Sequence, residues 1–175
     1  MRSAHRDDAL GERPHRAAMS PAPLRPLSEG DLGAALALLR AALPEPSYAD
    51  ALASVVESAA LSPGAEASGL VVELDGALVA LAVYGEYAGA TGAGRLHLVV
   101  VAGAHRRRGL GAKLLSQIDE ELAACAARFV LAELPDDHPA LDDYLAFLRA
   151  CSFTAESRIP DFHRPGVALL FLRRE

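Results

Sequence analysis

The sequence predicts a mixed α/β (α+β) fold, in which helices cover both faces of a central sheet of six or seven strands. Two β-rich runs flank Asp75-Gly76, a pattern typical of a two-residue hairpin, and a hairpin requires antiparallel strands. Farther along the chain, strands and helices alternate, and each strand–helix–strand unit predicts a pair of parallel neighbours. The 175 residues, 51% of them hydrophobic, suffice for one compact domain with its own core.

The N-terminal part of the chain predicts a tail, an edge strand and two helices. Residues 1–19 are expected to be a disordered tail, with Met19 as an alternative start, and residues 20–175 to form a single domain. Ser28 has the character of a helix N-cap, and the helix that it opens ends before Pro44. The edge strand is predicted in APLRPL, and the helices in SEGDLGAALALLRAAL and SYADALASVVESAALSPG.

The remaining elements complete the alternation. After the hairpin, RLHLVVVA and FVLAEL predict strands, and each is followed by a helix. The C-terminal residues predict two strands joined by a loop that contains Pro160 and Pro165-Gly166. In the first of the two helices, apolar residues recur at helical spacing: Leu110, Leu114, Ile118, Leu122 and Cys125.

Composition and charge exclude several classes of protein. A net charge of −6 does not suit a nucleic-acid binder, which needs a broad basic face. No run reaches the roughly 18 apolar residues of a membrane span, and the N-terminus lacks the apolar region of a signal peptide. Cys125 and Cys151 are expected to be free, buried thiols of a cytoplasmic protein. Because neither has the spacing of a metal ligand, we predict no metal site.

The stretch VAGAHRRRGLGAKLL, from Val101 to Leu115, places three arginines and two glycines at the start of a predicted helix. The first N–H groups of a helix have no partner within it, and they lie at the positive end of the helix dipole. Glycine leaves these groups accessible to an anion, and the arginines attract a multiply charged ligand. We therefore expect a phosphate or diphosphate to bind at residues 107–112. The alternative is an ordinary strand–turn–helix corner with an exposed basic turn.

Two other phosphate-binding loops fit this stretch less well. A Walker A loop would end in Gly-Lys-Ser/Thr, which is missing here. The dinucleotide fingerprint needs three spaced glycines, whereas this corner has a single Gly-x-Gly.

The same residues resemble the acetyl-CoA signature of the GNAT N-acetyltransferase superfamily. Arg106, Gly109 and Gly111 stand at its three defining positions, and Gly103 stands where many members carry proline. The resemblance extends from about Pro21 to the end of the chain. It implies a GNAT-like, mainly antiparallel sheet and the transfer of an acetyl group from acetyl-CoA, as cosubstrate, to an amine without a metal.

The resemblance also implies a set of cofactor-binding residues. The strand that carries Val99 and Val101 would pair with the pantetheine arm like an added strand. The backbone amides that follow would hold the diphosphate, with Leu110 packed beneath it. The complete set is Val99, Val101, Arg106, Arg107, Arg108, Gly109, Leu110, Gly111 and Ala112.

Candidates for a catalytic base lie on two strands. An amine with a pKa near 10 must lose a proton before it attacks the thioester. His97 stands where family members often carry a carboxylate. An ordinary pKa near 6.5 would suit it to this task, and strand alternation places it on the side of Val99. The alternative is a half-buried histidine bonded to a backbone carbonyl. Glu133 is the second candidate, with a solvated strand end as its alternative.

The last helix departs from the family pattern. In FLRACSF, Leu148 replaces the tyrosine that protonates the departing thiolate, and Ser152 replaces a glycine. Tyr144 lies one turn earlier and could substitute, although it could equally belong to the core.

The residues around this helix suggest an acceptor pocket. Asp161 and His163 lie in a loop that shapes this pocket in related chains, although turn chemistry alone also explains the loop. An acidic run could attract a cationic acceptor or be a solvated face: Asp136, Asp137, Asp142 and Asp143.

Three functions remain in competition at this stage. The first is an N-acetyltransferase whose partners are acetyl-CoA and a small-molecule or peptide amine, with no nucleic acid or membrane and with a homodimer left open. The second is an acyl-CoA-binding module with little or no catalysis, which the leucine at position 148 supports. The third is a regulatory domain in which Arg106 to Arg108 contact an acidic partner.

Overall fold

The computed structural model describes residues 23–43 and 45–175, so the predicted tail and Met19 lie outside the described residues. Within them, seven strands form one sheet. The strands are β1 (Leu24–Pro26), β2 (Ser68–Leu74), β3 (Ala77–Glu86), β4 (Ala93–Val101), β5 (Phe129–Pro135), β6 (Thr154–Arg164) and β7 (Val167–Arg174). The helices are α1 (Leu32–Ala42), α2 (Pro46–Leu61), α3 (Leu110–Ala124) and α4 (Leu141–Ala150), with 3-10 turns at Glu29–Asp31 and Gly103–His105.

The strands lie in the order β1-β2-β3-β4-β5-β7-β6, which confirms the predicted mixed and mainly antiparallel sheet. β4 and β5 are parallel, as the helix between them predicts, whereas the other described neighbours are antiparallel. A second parallel pair, between β5 and β6, was also expected, and this is wrong. β7 lies between these two strands because a tight turn at Pro165-Gly166 brings it back beside β6.

The hairpin between β2 and β3 forms as predicted. Asp75 and Gly76 both have positive φ, at 51° and 75°. Two central residues with positive φ define the type I′ turn, whose twist matches that of the flanking strands. The turn therefore fixes the antiparallel start of the sheet.

Helices cover both faces of the sheet, as predicted. On one face, α3 and α4 contribute Leu114, Ile118 and Leu148 to a buried cluster with β-strand residues. On the other face, α1 and α2 contribute Leu39 and Val56 to a second cluster. Alternating side chains of β2 and β3 divide between these clusters, which is why their sequences read as continuous apolar runs.

The first helical segment begins at Ser28, as predicted. Its backbone N–H donates to the carboxylate of Asp31 at 3.0 Å, as in a capping box, and its Oγ donates to the same carboxylate at 2.7 Å. Arg25 of β1 donates to the same carboxylate at 2.7 Å and lowers the pKa of Asp31. This contact ties the edge strand to the start of the helix.

The C-terminal strands and one cysteine differ from expectation. Pro160 lies within β6 and not in a connecting loop, which β6 tolerates because it is the edge strand. Cys151 is partly buried, but Cys125 is exposed because α3 ends at Ala124. The prediction of two buried thiols is therefore wrong for Cys125.

Candidate functional site

A cleft opens where β4 and β5 separate. The two parallel strands pair only from Ala93 to Leu96 on β4 and from Phe129 to Ala132 on β5. From residue 98 to 101, β4 pairs with β3 alone. The β4 backbone in this range therefore has one edge that faces no neighbouring strand.

A β-bulge at His97 changes which side chains share a face of β4. Val83 pairs with Leu98, and Tyr84 pairs with Leu96, so His97 is the extra residue. As a result, Leu96 and Val99 belong to the same core cluster, which strict alternation would forbid. The alternation argument that placed His97 beside Val99 therefore fails at this bulge.

Beyond the bulge, the backbone groups of Val99 and Val101 face the cleft. The N–H of Ala102 donates to Val79 of β3 at 2.9 Å, so groups of even-numbered residues point toward β3 and those of odd-numbered residues point away. The Val99 N–H donates to the hydroxyl oxygen of Tyr144 at 3.2 Å. The Val101 carbonyl accepts a hydrogen bond from Arg106 Nε at 3.1 Å.

The basic corner follows directly on β4. After the 3-10 turn, Arg107 and Gly109 have positive φ, at 61° and 78°. Helical hydrogen bonding begins with the Lys113 N–H, which donates to the Gly109 carbonyl at 2.9 Å, so the preceding N–H groups have no partner within α3. Residues 106–109 are exposed, and apart from the adjoining backbone no described atom lies within 4 Å of the point that a Cβ at Gly109 would occupy.

Gly111 faces a different environment from Gly109. It is buried, and a Cβ there would lie 2.8 and 2.9 Å from two ring carbons of Phe147 on α4. The missing side chain therefore lets α3 and α4 pack closely. Gly111 was predicted to leave room for a ligand, and its contact with Phe147 gives it a packing role as well. Leu110 is buried in the core below the corner, and Ala112 is exposed.

Tyr144 reaches the cleft from α4. Its hydroxyl accepts the Val99 hydrogen bond, and burial raises its pKa to about 12, so it is protonated at neutral pH. Its ring lies between those of His138 and Phe147, with centroid distances of 6.3 and 6.0 Å. Leu148 is fully buried in the core and contributes no polar group to the cleft.

The two candidate bases differ in their surroundings: His97 is largely buried, and Glu133 is paired with Arg95. Burial, aided by the nearby charge of Arg95, lowers the pKa of His97 to about 4. Its Nε2 is buried without a hydrogen-bond partner, so the expected bond to a carbonyl is not formed at this atom. Glu133 accepts a hydrogen bond from Arg95 at 2.7 Å, so its carboxylate is already paired.

A cavity of about 510 Å³ lies beside Tyr144, between the end of β5 and the start of α4, and is lined by residues 136–143. An adjoining cleft of about 200 Å³ shares Asp137 and Pro139 with it. Asp137 accepts hydrogen bonds from Tyr48 of α2 and Arg164 of β6. This carboxylate therefore links α2 and β6 to the segment between β5 and α4.

Further residues of the predicted acceptor region have structural partners. Asp136 accepts from Arg158 at 2.6 Å, and Asp161 accepts from the Gly166 N–H at 2.6 Å within the last turn. Asp142 and Asp143 are exposed in the first turn of α4. His163 is exposed, and its ring contacts Phe162 at a centroid distance of 5.2 Å.

Sequence reasoning missed His138, which lines the cavity. Its Nδ1 accepts the Ala140 N–H at 3.1 Å, so its neutral form carries the proton on Nε2 and acts as a donor there. Burial lowers its pKa. The only sequence signal was its place in an acidic loop, which gave no indication of this bond.

Comparison with known proteins assigns the family. The model of the acetyltransferase (GNAT) family matches residues 34–148. The chain belongs to the GNAT acetyltransferase family. Comparison by sequence with curated proteins gave no match.

Solved structures of GNAT proteins share the fold. A GNAT-family protein from Desulfovibrio desulfuricans is 20% identical with a TM-score of 0.78, and the alignment covers 88% of this chain and 98% of that one. An aminoglycoside 6′-N-acetyltransferase complexed with coenzyme A is 16% identical with a TM-score of 0.69, covering 87% and 96%. YncA of Salmonella typhimurium, solved with acetyl-CoA, is 19% identical with a TM-score of 0.67, covering 89% and 94%.

The described residues contain neither a metal-binding cluster nor a membrane-spanning helix. Among the described residues, no group of three or more His, Cys, Asp or Glu side chains is placed to hold a metal ion. No helix in the described part of the chain combines the length and apolar character needed to cross a membrane.

Proposed function

We propose that this GNAT protein transfers the acetyl group of acetyl-CoA to the amine of a small molecule or peptide. The observation that carries the proposal is the continuity of two backbone features. The free edge of β4 at Val99 and Val101 leads directly into the exposed start of α3. One extended ligand with a diphosphate at one end could contact both.

The residues fit such a ligand at each end. The positive φ of Arg107 and Gly109 turns successive N–H groups into a concave surface, an arrangement that binds anions. Arg107 and Arg108 are exposed beside it and would supply charge, and Ala112 presents a small side chain. Arg106 already binds the Val101 carbonyl and would hold the corner in place. Two GNAT neighbours crystallised with coenzyme A or acetyl-CoA support the same ligand.

The acceptor would approach through the cavity at residues 136–143. In the reaction, the neutral amine nitrogen forms a bond to the acyl carbon and the carbon–sulfur bond breaks. The nitrogen loses one proton and the sulfur gains one, so coenzyme A leaves as a thiol. The Val99 N–H would polarise the acyl oxygen, and the protonated hydroxyl of Tyr144 would donate toward the sulfur. Because burial disfavours protonation of His97 and the Glu133 carboxylate is bonded to Arg95, we infer that the acceptor enters as the neutral amine.

A direct test measures thiol release. The purified protein is incubated with acetyl-CoA and a panel of primary amines, and free coenzyme A is detected with a thiol reagent. We expect release that depends on the amine, with a rate that rises toward pH 9 as the neutral amine becomes more abundant. Failure of acetyl-CoA to raise the melting temperature, even at saturating concentration, would exclude specific binding to the native protein.

The alternative is a binding module with weak or no catalysis. Two observations among the described residues favour this alternative. Leu148 is buried, and neither predicted base is free, because burial lowers the pKa of His97 and Glu133 is bonded to Arg95. It predicts a thermal shift with acetyl-CoA and no thiol release across the amine panel.

For the remaining partners, we infer from the net charge of −6 that nucleic acid is not a ligand. A cytoplasmic location remains part of this proposal, and a homodimer stays open. The β6 edge does not favour pairing of two sheets, because Pro160 and a bulge at Glu156 interrupt it.

A further inference from the structure

The hydroxyl of Tyr144 occupies one of the backbone amides of β4 that face the cleft, the N–H of Val99. The Val99 N–H donates to it at 3.2 Å, and Val99 is only 7% exposed. A buried backbone N–H requires an acceptor, and the missing β5 partner leaves this one to a side chain. Tyr144 therefore satisfies a group that the sheet leaves unpaired.

The same face of α4 makes a second contact across the cleft. Phe147 lies three residues after Tyr144, and its ring packs against Gly111 at the start of α3. The point of a Gly111 Cβ is also 3.7 Å from a methyl group of Val99. Two rings of α4 thus bridge from one wall of the cleft to β4 and α3.

We propose that Tyr144 is a placeholder for the acyl carbonyl, held on the Val99 amide in the protein alone and displaced when acetyl-CoA binds. The inference rests on the proposed function. Both oxygens accept from the same N–H, so each excludes the other. The displaced hydroxyl keeps its proton and remains beside the ligand as a donor.

This exchange predicts that removing the Tyr144 hydroxyl raises the affinity for acetyl-CoA, whereas removing a ligand-binding group lowers it. Tyr144→Phe keeps the ring and its contacts with His138 and Phe147 but removes the competing oxygen. The protein alone then loses a hydrogen bond that the complex never had. We expect acetyl-CoA to bind Tyr144→Phe about fivefold more tightly, the net worth of one hydrogen bond. A residue that only contacts the ligand would give weaker or unchanged binding.

The experiment measures acetyl-CoA affinity by calorimetry for wild type, Tyr144→Phe and Tyr84→Phe. Tyr84 is the matched control, because its buried hydroxyl bonds Glu121 far along α3 from the corner. We expect Tyr84→Phe to lower the melting temperature and leave the affinity unchanged. Hydrogen exchange at the Val99 amide, followed by NMR, should be faster in Tyr144→Phe than in wild type and slow down again with acetyl-CoA.

The outcomes separate this inference from the proposed function. Wild type that does not bind acetyl-CoA contradicts the function itself. Wild type that binds, with Tyr144→Phe binding equally or less well, overturns the placeholder alone. If the variant does not fold, wild type labelled with 3-fluorotyrosine decides, since the chain has 4 tyrosines. Acetyl-CoA must then shift the Tyr144 resonance, identified through variants of the other three, and an unmoved resonance overturns the inference.

Discussion

The two walls of the cleft, at the start of α3 and along α4, have opposite character. The α3 wall is exposed and cationic, and a Cβ placed at its Gly109 would extend into open space. The α4 wall is aromatic and contacts the rest of the protein. The Tyr144 hydroxyl accepts a hydrogen bond from the Val99 amide, and the Phe147 ring packs against Gly111. One wall is therefore built to attract an anion, whereas the other must yield before a ligand can lie along β4. Gly109 belongs to the exposed wall, whereas Gly111, two residues later, packs against Phe147 of the aromatic wall.

The largest effect should come from changing the glycine of the exposed wall. Gly109→Glu places a carboxylate where the diphosphate would lie, and we expect acetyl-CoA affinity to fall by at least about 100-fold, since the new charge repels the ligand. The positive φ of 78° adds a stability cost of about 1–2 kcal/mol. Calorimetry and urea unfolding measure the two quantities.

Gly111→Ala, at the contact between α3 and Phe147 of the α4 wall, is the matched control. Its methyl group would meet the Phe147 ring, so unfolding free energy should fall by about 1–3 kcal/mol. Adding Phe147→Leu should recover part of that loss, because the two side chains share one space. Equal losses of affinity at both glycines would show that the walls do not differ as described.

The smallest effect concerns the pH dependence of stability through His97, at the bulge of β4. Its pKa is about 4 in the folded protein and 6.5 in the unfolded chain, so the unfolded state binds more protons between these values. Stability should therefore be complete above pH 6.5 and fall as the pH drops toward 4, by about 1–2 kcal/mol once partial exposure is allowed for. Urea unfolding of wild type and His97→Gln at several pH values measures the difference.

Burial also lowers the pKa of His138. Because wild type and His97→Gln both contain His138, its contribution to the pH dependence is the same in the two proteins. The His97→Gln profile should be flatter than that of wild type below pH 6.5. Parallel profiles would mean that His97 titrates in its ordinary range.

The fold was largely predictable because it depends on local signals. Asp75-Gly76 specifies its turn by backbone conformation, and Ser28 caps its helix through a residue three positions away. The position of β7 was not predictable, since it depends on which strands meet after the chain has folded. The parallel pair of β4 and β5 was predicted because one helix separates them.

The site was predictable only where the backbone defines it. The glycine-rich corner indicated an exposed helix start, and the Val99 and Val101 groups face the cleft as expected. The bulge at His97, the Phe147 contact of Gly111 and the bond of His138 all arise from long-range packing. No sequence period encodes such contacts.

A crystal structure with acetyl-CoA tests the central claim most directly. We predict diphosphate oxygens about 3 Å from backbone nitrogens of residues 109–112, and the pantetheine arm paired with Val99 and Val101. A complex in which the diphosphate lies elsewhere, or in which protein side chains fill the corner at Gly109, would contradict it.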